Sequence, residues 1–224
     1  MTEEISVFWF RRDLRLHDNA GLTKALQGNR PVLCVFIFDS HILSGLTDRH
    51  DRRVQFIYNQ VERLNAELIK LGSSLIVRFG DPVEAWKKLT EDFPISMVFT
   101  NHDYEPYAEM RDNSIRTLLQ EKNCSFHTFK DQVIFEKDEV TKDDGLPYTV
   151  YTPYMKKWRS KISNAGSPFL NSYSTEEFFF NLKKISPQPM ITPGELGFEF
   201  HAVDFPSGEF NSDRKSTRLN SSHT

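Results

Sequence analysis

Polar and charged residues directly follow four apolar segments of the sequence. Their side chains are of types that suit the binding of a polar, planar molecule. They are Arg11, Arg12, Asp13, Asp39, Asp81, Asn101, His102, Asp103 and Glu105. A guanidinium group presents a planar fork of donors that pairs with carboxylates or stacks on a flat ring. A carboxylate accepts N–H and O–H groups. For each residue taken singly the alternative is structural: a solvated loop, or an Arg–Asp pair that ties two loops together.

The short motifs of several common chemistries are absent from the sequence. There is no GxGxxG or GxxxxGK[ST] run, so neither a dinucleotide fingerprint nor a P-loop is predicted. No nucleophile elbow is present. The histidines lack the spacing of metal ligands, and no metal site is predicted; they include His17, His41, His50, His102, His127 and His201.

The elements that must position the charged residues can be predicted from the apolar pattern. Strands are predicted over residues 5–10, 31–39, 74–80, 95–101 and 124–129. Helical patterns lie between them, over 20–27, 54–71, from Pro82 onward, and over 107–122. Near-continuous apolar strands that alternate with helices predict an α/β fold with a five-stranded, doubly wound, parallel, Rossmann-like sheet. Ligands of such sheets bind at the carboxyl ends of the strands, so we expect the charged residues to gather there.

The sequence changes character after residue 132. Seven of the eleven prolines fall between residues 147 and 206, and the same stretch is rich in tyrosine and phenylalanine. Disordered segments are poor in aromatic residues, so this largely irregular segment is expected to pack on something. We expect one modest helix in it, over 153–162, and some of its aromatic side chains to cover the α/β domain.

Composition and charge indicate a cytoplasmic protein. The chain is 38% hydrophobic and 26% charged, with a formal net charge of -3. It shows no secretory signal and no apolar run long enough for a membrane span. Cys34 and Cys124 lie in or beside apolar runs, so two reduced, buried thiols are predicted.

Residues 213–224 are interpreted separately from the rest. The run DRKSTRLNSSH matches one reading frame of a common short-read sequencing adapter. We interpret these residues as an assembly artefact, and the alternative is a natural disordered tail. If they are an artefact, the natural protein is expected to continue past Ser212.

Three sequence blocks resemble those of the DNA photolyase and cryptochrome family. They are FWFRRDLRLHDNAGL (8–22), YEPYAEMRD (104–112) and PYTVYTPYMKKW (147–158), in order and at compatible spacing. The resemblance covers about residues 5–200. It implies an α/β domain over 1–132 that holds a light-harvesting antenna chromophore. It also implies that 133–212 form a linker and the start of a helical FAD-binding domain, which would begin near Thr192.

The resemblance implies a function only for a longer protein. That protein would be a light-dependent, FAD-containing deoxyribodipyrimidine photo-lyase, monomeric, which repairs pyrimidine dimers in UV-damaged DNA. FAD, the DNA contacts and all catalytic residues would lie in the helical domain, so this chain alone is expected to be inactive. The alternatives are a cryptochrome, which is a blue-light photoreceptor without repair activity, and a stand-alone nucleotide-binding α/β module.

The resemblance also assigns roles to individual residues. The antenna chromophore would contact Arg11, Phe36, Asp39, Arg53, Asp103 and Glu105. Ion pairs made by Arg12, Asp13 and Arg15 would lock the α/β domain to the linker and to its partner domain. Relatives that bind a folate carry an Asn-Glu pair where this chain has Tyr107 and Ala108, so a deazaflavin or a flavin is expected instead of a folate. An empty cleft is the alternative.

Overall fold

The sheet has five parallel strands, as predicted. The computed structural model describes residues 3–164 and 172–202. The strands are β1 Ile5–Phe10, β2 Val32–Asp39, β3 Leu75–Gly80, β4 Ile95–Asn101 and β5 Ser125–Phe129. Their order in the sheet is β3-β2-β1-β4-β5, with every neighbouring pair parallel. The order reverses between β1 and β4, which is where a doubly wound sheet opens a crevice for ligands.

Six α-helices lie in the described residues. They are α1 Ala20–Leu26, α2 Ser40–Leu43, α3 Arg52–Lys70, α4 Pro82–Asp92, α5 Pro106–Glu121 and α6 Tyr151–Asn164. Two 3₁₀ helices span Lys137–Glu139 and Thr175–Asn181. Helix α2 and both 3₁₀ helices were not predicted, because each is too short to show a helical period. Helix α6 is longer at both ends than the predicted 153–162.

Both faces of β1 and β2 are covered, and every residue of these two strands is buried. Side chains alternate between faces along a strand. Phe8 and Phe10 therefore point into the core under α1 and α3, whereas Val7 and Trp9 point into the core under α4 and α5. This alternation decides which helix each residue beyond the strand will meet.

Residues 172–202, which we call the strap, pack back across the α/β domain. Leu182, Leu196 and Phe198 are buried in the core beneath α1 and α3. Leu182 forms a parallel bridge with Val32, at the start of β2. The Asn181 side-chain amide donates to three carbonyl oxygens at the end of α1, those of Leu26, Gly28 and Arg30. The strap is therefore part of the core of the domain, although other side chains of the strap, Tyr173 and Phe180 among them, are exposed.

Both thiols are buried, as predicted. Burial raises the pKa of Cys34 to about 12 and that of Cys124 to about 11, so both are protonated at neutral pH. Neither the stretch 3–164 nor the strap contains a helix with the length and apolar character needed to cross a membrane. The end of the expected linker after residue 202, and the tail 213–224, lie outside the described residues.

Candidate functional site

A cavity of about 320 Å³ opens at the carboxyl ends of β1 and β2, beside the point where the strand order reverses. Helices α2, α3 and α5 complete its walls. The lining residues are Trp9, Arg11, Arg12, Phe36, Ile37, Phe38, Asp39, Ile42, Leu43, Val54, Ile57, Asp103, Glu105, Tyr107, Ala108 and Arg111. The size and the position are those of small-molecule sites in proteins of this architecture.

One side of the cavity is apolar. Phe36 and Phe38 of β2 meet edge to face, with ring centroids 4.9 Å apart. Val54 and Ile57 of α3 belong to the same wall. Flat aromatic and branched aliphatic surfaces of this kind suit the face of a ring system.

Three charged groups, Arg11, Arg111 and Asp112, form what we call the buried cluster, of which the two arginines line the cavity. Arg11 Nη1 lies 2.8 Å and 2.6 Å from the two carboxylate oxygens of Asp112, and Arg111 Nη2 lies 3.1 Å from Asp112 Oδ1. Arg11 also donates to the carbonyl oxygen of Asn101. The two arginine side chains are each only 7% exposed. Charges buried to this degree require such partners, because desolvation costs several kcal/mol per ion.

Trp9 connects the buried cluster to the sheet. The guanidinium carbons of Arg11 and Arg111 lie 5.2 Å and 4.9 Å from the centroid of the Trp9 ring, within the range of cation–π contacts. Arg11 is two positions beyond Trp9, so it continues the alternation of β1 and leaves the strand on the side of α5. The buried cluster therefore forms where β1 and α5 meet.

Tyr107 and Asp39 close the polar side of the cavity. Tyr107 Oη donates to Asp39 Oδ2 at 2.7 Å, and the other Asp39 oxygen accepts the backbone N–H of His41. Arg111 Nη1 lies 3.7 Å from the same Asp39 Oδ2. Burial, and then the hydrogen bond to the Asp39 carboxylate, raise the pKa of Tyr107 above its ordinary value.

Arg12 and Glu105, which we call the rim pair, lie at the mouth. Arg12 Nη2 is 2.6 Å from Glu105 Oε1, and Arg12 Nε is 3.3 Å from Asp103 Oδ2. The hydrogen bond to Glu105 is the largest cause of a raised Arg12 pKa. The Arg12 side chain is 54% exposed, so water screens this pair.

Five of the six residues assigned to the antenna chromophore line this one cavity, and Arg53 does not. The five are Arg11, Phe36, Asp39, Asp103 and Glu105. Arg53 pairs with the helix-capping carboxylate of Asp51 at 2.5 Å, and its side chain is 75% exposed. Helix α3 presents Val54 and Ile57 to the cavity, because those positions lie on its apolar face.

The ion pairs expected to reach the linker lie within the α/β domain instead. Arg12 pairs with the carboxylates at the mouth, and Arg15 pairs with Asp131 at 2.9 Å. Among the described residues Asp13 makes no ion pair; its carboxylate accepts from the side-chain amides of Asn101 at 2.5 Å and Asn19 at 3.3 Å. Among the described residues these three side chains therefore find their partners within the first 131 residues and not in the linker, whereas a contact with the partner domain stays a prediction.

The loop after β1, residues 11–19, does contact the strap, through charged and uncharged groups, and His17 Nδ1 contacts Glu176 Oε1 of the strap. Tyr173 N donates to Asp18 Oδ1 at 2.8 Å, and Asn19 N donates to Thr175 Oγ1 at 3.2 Å. Thr175 Oγ1 also lies 2.8 Å from Thr23 Oγ1, and Thr175 is fully buried. The junction therefore combines buried hydrogen bonds of Thr175 with exposed contacts of Asp18 and Glu176.

Sequence reasoning missed four residues of the site: Trp9, Tyr107 as a hydrogen-bond donor, Arg111 and Asp112. The spacing of residues on α5 could have indicated the last three of them. Arg111 follows Tyr107 by four positions, and Asp112 follows Ala108 by four, so these side chains share one side of α5. That side is the one facing β1.

The fold and the cavity define an α/β domain with a cavity, part apolar and part charged, beside the switch point of its sheet. The sequence model described as DNA photolyase matches residues 6–171. The chain belongs to the DNA photolyase family.

Relatives of both functional types match the chain. A deoxyribodipyrimidine photo-lyase of Halobacterium salinarum is 34% identical over 173 residues, which are 73% of this chain and 35% of that protein. Cryptochrome-1 of Spalax judaei is 31% identical over 159 residues, which are 70% of this chain and 26% of that protein. The chain thus spans about a third or less of the length of these two relatives.

A solved structure of the family shares the fold. The class III photolyase of Agrobacterium tumefaciens is 26% identical, with a TM-score of 0.61. The match covers 71% of this chain and 32% of that one.

Proposed function

We propose that this chain is the N-terminal part of a light-dependent, FAD-containing photo-lyase and that its cavity holds the antenna chromophore. In this proposal residues 1–132 form the antenna domain. Residues 133–212 form the linker and the start of the helical domain that would bind FAD and UV-damaged DNA. The observation that carries the proposal is the cavity at the switch point of the sheet, with one apolar wall and one wall of buried, paired charges.

The two walls suit a flavin or a deazaflavin ring. Phe36 and Val54 would contact the apolar part of the ring, and Asp103 and Arg111 offer an acceptor and a donor for its polar edge. Such a ring has donors and acceptors on one edge and a hydrocarbon ring at the other end. The opposed apolar and polar walls of this cavity match that division.

The residues at the start of α5 argue against a folate. Tyr107 directs its hydroxyl to Asp39, and Ala108 offers no polar side-chain group. Neither can replace the carboxamide and carboxylate that the folate-binding relatives carry at these positions. A pterin edge would therefore find no such partner here.

A cryptochrome is the second candidate, favoured by the 31% identity to Cryptochrome-1. The residues that would distinguish a repair enzyme from a photoreceptor surround FAD. In both candidates FAD would lie in the helical domain. Both candidates predict the same ligand-binding α/β domain.

Ligand binding to the purified 224-residue chain tests the proposal. We expect equilibrium dialysis with riboflavin, a 5-deazaflavin and 5,10-methenyltetrahydrofolate to show 1:1 binding of one of the first two and none of the folate. The substitution Ile57→Trp fills the cavity from α3 and should weaken binding by at least about tenfold.

Ile69→Trp is the matched control. Ile57 and Ile69 lie on the same helix and are both 39% exposed, but only Ile57 lines the cavity. The control should bind as the unsubstituted chain does. Absence of binding by the unsubstituted chain, or equal affinities for the two variants, would contradict the proposal.

A further inference from the structure

The charges around the cavity restrict which form of a flavin-class ligand can bind there. Flavins occur as unphosphorylated riboflavin and as phosphate esters, which include flavin mononucleotide (FMN) and FAD. At about 320 Å³ the cavity lies at the lower end of the range of small-molecule sites. When the ring is inside, the end of the tail would therefore lie at the mouth. A phosphate monoester there carries a charge of about -1.5 to -2 at pH 7 and requires cations or free N–H groups as partners.

Each arginine that lines the cavity already has a carboxylate partner. Arg11 and Arg111 are held by Asp112, at 2.6 Å and 3.1 Å. Arg12, at the mouth, lies 2.6 Å from Glu105. An anion could use any of these three cations only by competing with a carboxylate that is already in place.

The helices that begin at this edge of the sheet already use their N-termini. In α3 the carboxylate of Asp51 accepts the N–H of Arg53 at 2.8 Å, and in α4 that of Asp81 accepts the N–H of Glu84 at 2.9 Å. Helix α5 begins with Pro106, which has no N–H. Each of these three helices therefore presents a carboxylate or a proline at the end where a helix would otherwise bind a phosphate.

Carboxylates outnumber guanidinium groups around the cavity. Three arginines line it, and the carboxylates within 4.0 Å of them are those of Asp39, Asp103, Glu105 and Asp112. Asp103 and Glu105 lie at the mouth. They would repel a phosphate there, whereas the uncharged hydroxyl groups of a ribityl tail could donate hydrogen bonds to them.

We propose that the cavity selects the unphosphorylated form of a flavin-class ligand and that Glu105 is the residue that discriminates against a phosphate. This inference rests on the proposed function. The ligand would end in hydroxyl groups, as riboflavin and 5-deazariboflavin do, and the corresponding mononucleotides would bind more weakly. Glu105 acts in two ways, because its own charge repels the phosphate and because it holds Arg12, which the phosphate would need.

Equilibrium dialysis of riboflavin and of FMN against the 224-residue chain tests this inference. We expect riboflavin to bind at least about tenfold more tightly than FMN at low ionic strength. The ratio of the two affinities should narrow as the salt concentration rises from about 0.01 M to about 1 M, because the Debye length falls from about 30 Å to about 3 Å. If 5-deazariboflavin alone binds, it and its 5′-phosphate make the same comparison. A ratio that does not change with salt would show that size and not charge excludes FMN, and would overturn the inference.

Glu105→Gln removes the repelling carboxylate and releases Arg12. It should narrow the ratio of riboflavin to FMN affinity by at least about threefold, whatever it does to each affinity alone. Glu109→Gln is the matched control and should leave the ratio as it is. Glu109 lies one turn further along α5, is also exposed and also pairs with a cation, Lys137, but it is not among the residues that line the cavity.

The possible failures can be told apart. FMN binding as tightly as riboflavin to the unsubstituted chain, or equal ratios in the Glu105→Gln and Glu109→Gln variants, would overturn this inference and leave the proposed ligand site intact. Failure of both riboflavin and 5-deazariboflavin to bind would overturn the proposed function, and this inference with it.

Discussion

Arg11 and Arg12 are adjacent in the sequence and lie in opposite environments. Arg11 is 7% exposed and is held by Asp112, whereas Arg12 is 54% exposed and is held by Glu105 at the mouth of the cavity. The alternation of side chains along β1 places Arg11 on the side of α5, next to the ring of Trp9. Two arginines at the end of one strand thus belong to two regions, the buried cluster and the rim pair.

The difference shows that burial determines how much the loss of one ion-pair partner lowers stability, since both regions contain the same kinds of charged group. In the rim pair, water competes for both groups, and the net gain is small. In the buried cluster, the desolvation cost has already been incurred, so the loss of one partner leaves an unpaired charge in an apolar surrounding. Substitutions in the two regions should therefore have very different effects.

The largest effect is expected from Asp112→Ala. It removes the carboxylate that pairs with Arg11 and Arg111 and should lower the free energy of unfolding by about 3–5 kcal/mol. Urea denaturation followed by circular dichroism measures this change. Asp92→Ala is the control, because Asp92 pairs with Arg78 on the surface, and it should cost less than about 1 kcal/mol. Equal losses for the two variants would erase the distinction between buried and exposed pairs.

A smaller effect is expected from Arg12→Ala. The rim pair should contribute about 0–1 kcal/mol, and its contribution should shrink as salt is added. A double-mutant cycle of Arg12→Ala and Glu105→Ala measures the coupling directly. A coupling above about 2 kcal/mol would show that the rim behaves like the buried cluster.

The smallest effect concerns the pair formed by Asp51 and Arg53, and it depends on pH. The hydrogen bond from Arg53 is the main cause of an Asp51 pKa of about 2 in the folded chain, below its ordinary value of about 3.9. A lowered folded-state pKa adds stability above about pH 4, and this stability is lost as the pH falls from about 4 to 2.

Asp51→Asn keeps an amide oxygen that can cap α3 but removes the charge. We expect it to flatten the dependence of unfolding free energy on pH between 4 and 2, by less than about 1 kcal/mol. Urea midpoints at pH 5, 3 and 2 measure this slope. An unchanged slope would show that the exposed Arg53 contributes nothing to the pair.

The sheet and its long helices could be predicted because their signals are local. The near-continuous apolar runs of β1 and β2 and the three- and four-residue steps of α3 each lie within a single window of sequence. The gathering of Arg11, Asp39 and Asp103 at one edge also followed, because the carboxyl ends of parallel strands meet there.

The ion-pair partners of the charged side chains, and the residues of α3 that face the cavity, could not be predicted from local sequence patterns. Arg12 was expected to pair with the linker and the partner domain, but among the described residues it pairs with Asp103 and Glu105, which follow β4. Arg53 was placed in the cavity, but a helix turns by about 100° per residue, so its neighbour Val54 faces inward instead. The depth to which Arg111 and Asp112 are buried depends on the packing of α5 against β1, which no local pattern reports.

The strap has a consequence for the order in which the chain folds. Asn181 closes the end of α1 from a position about 150 residues later in the chain, and Leu182 pairs with the start of β2. Contacts between such distant residues raise the contact order and slow folding. During synthesis the sheet would leave the ribosome with the core beneath α1 and α3 still open. Completion of the α/β domain would therefore wait for the translation of the strap.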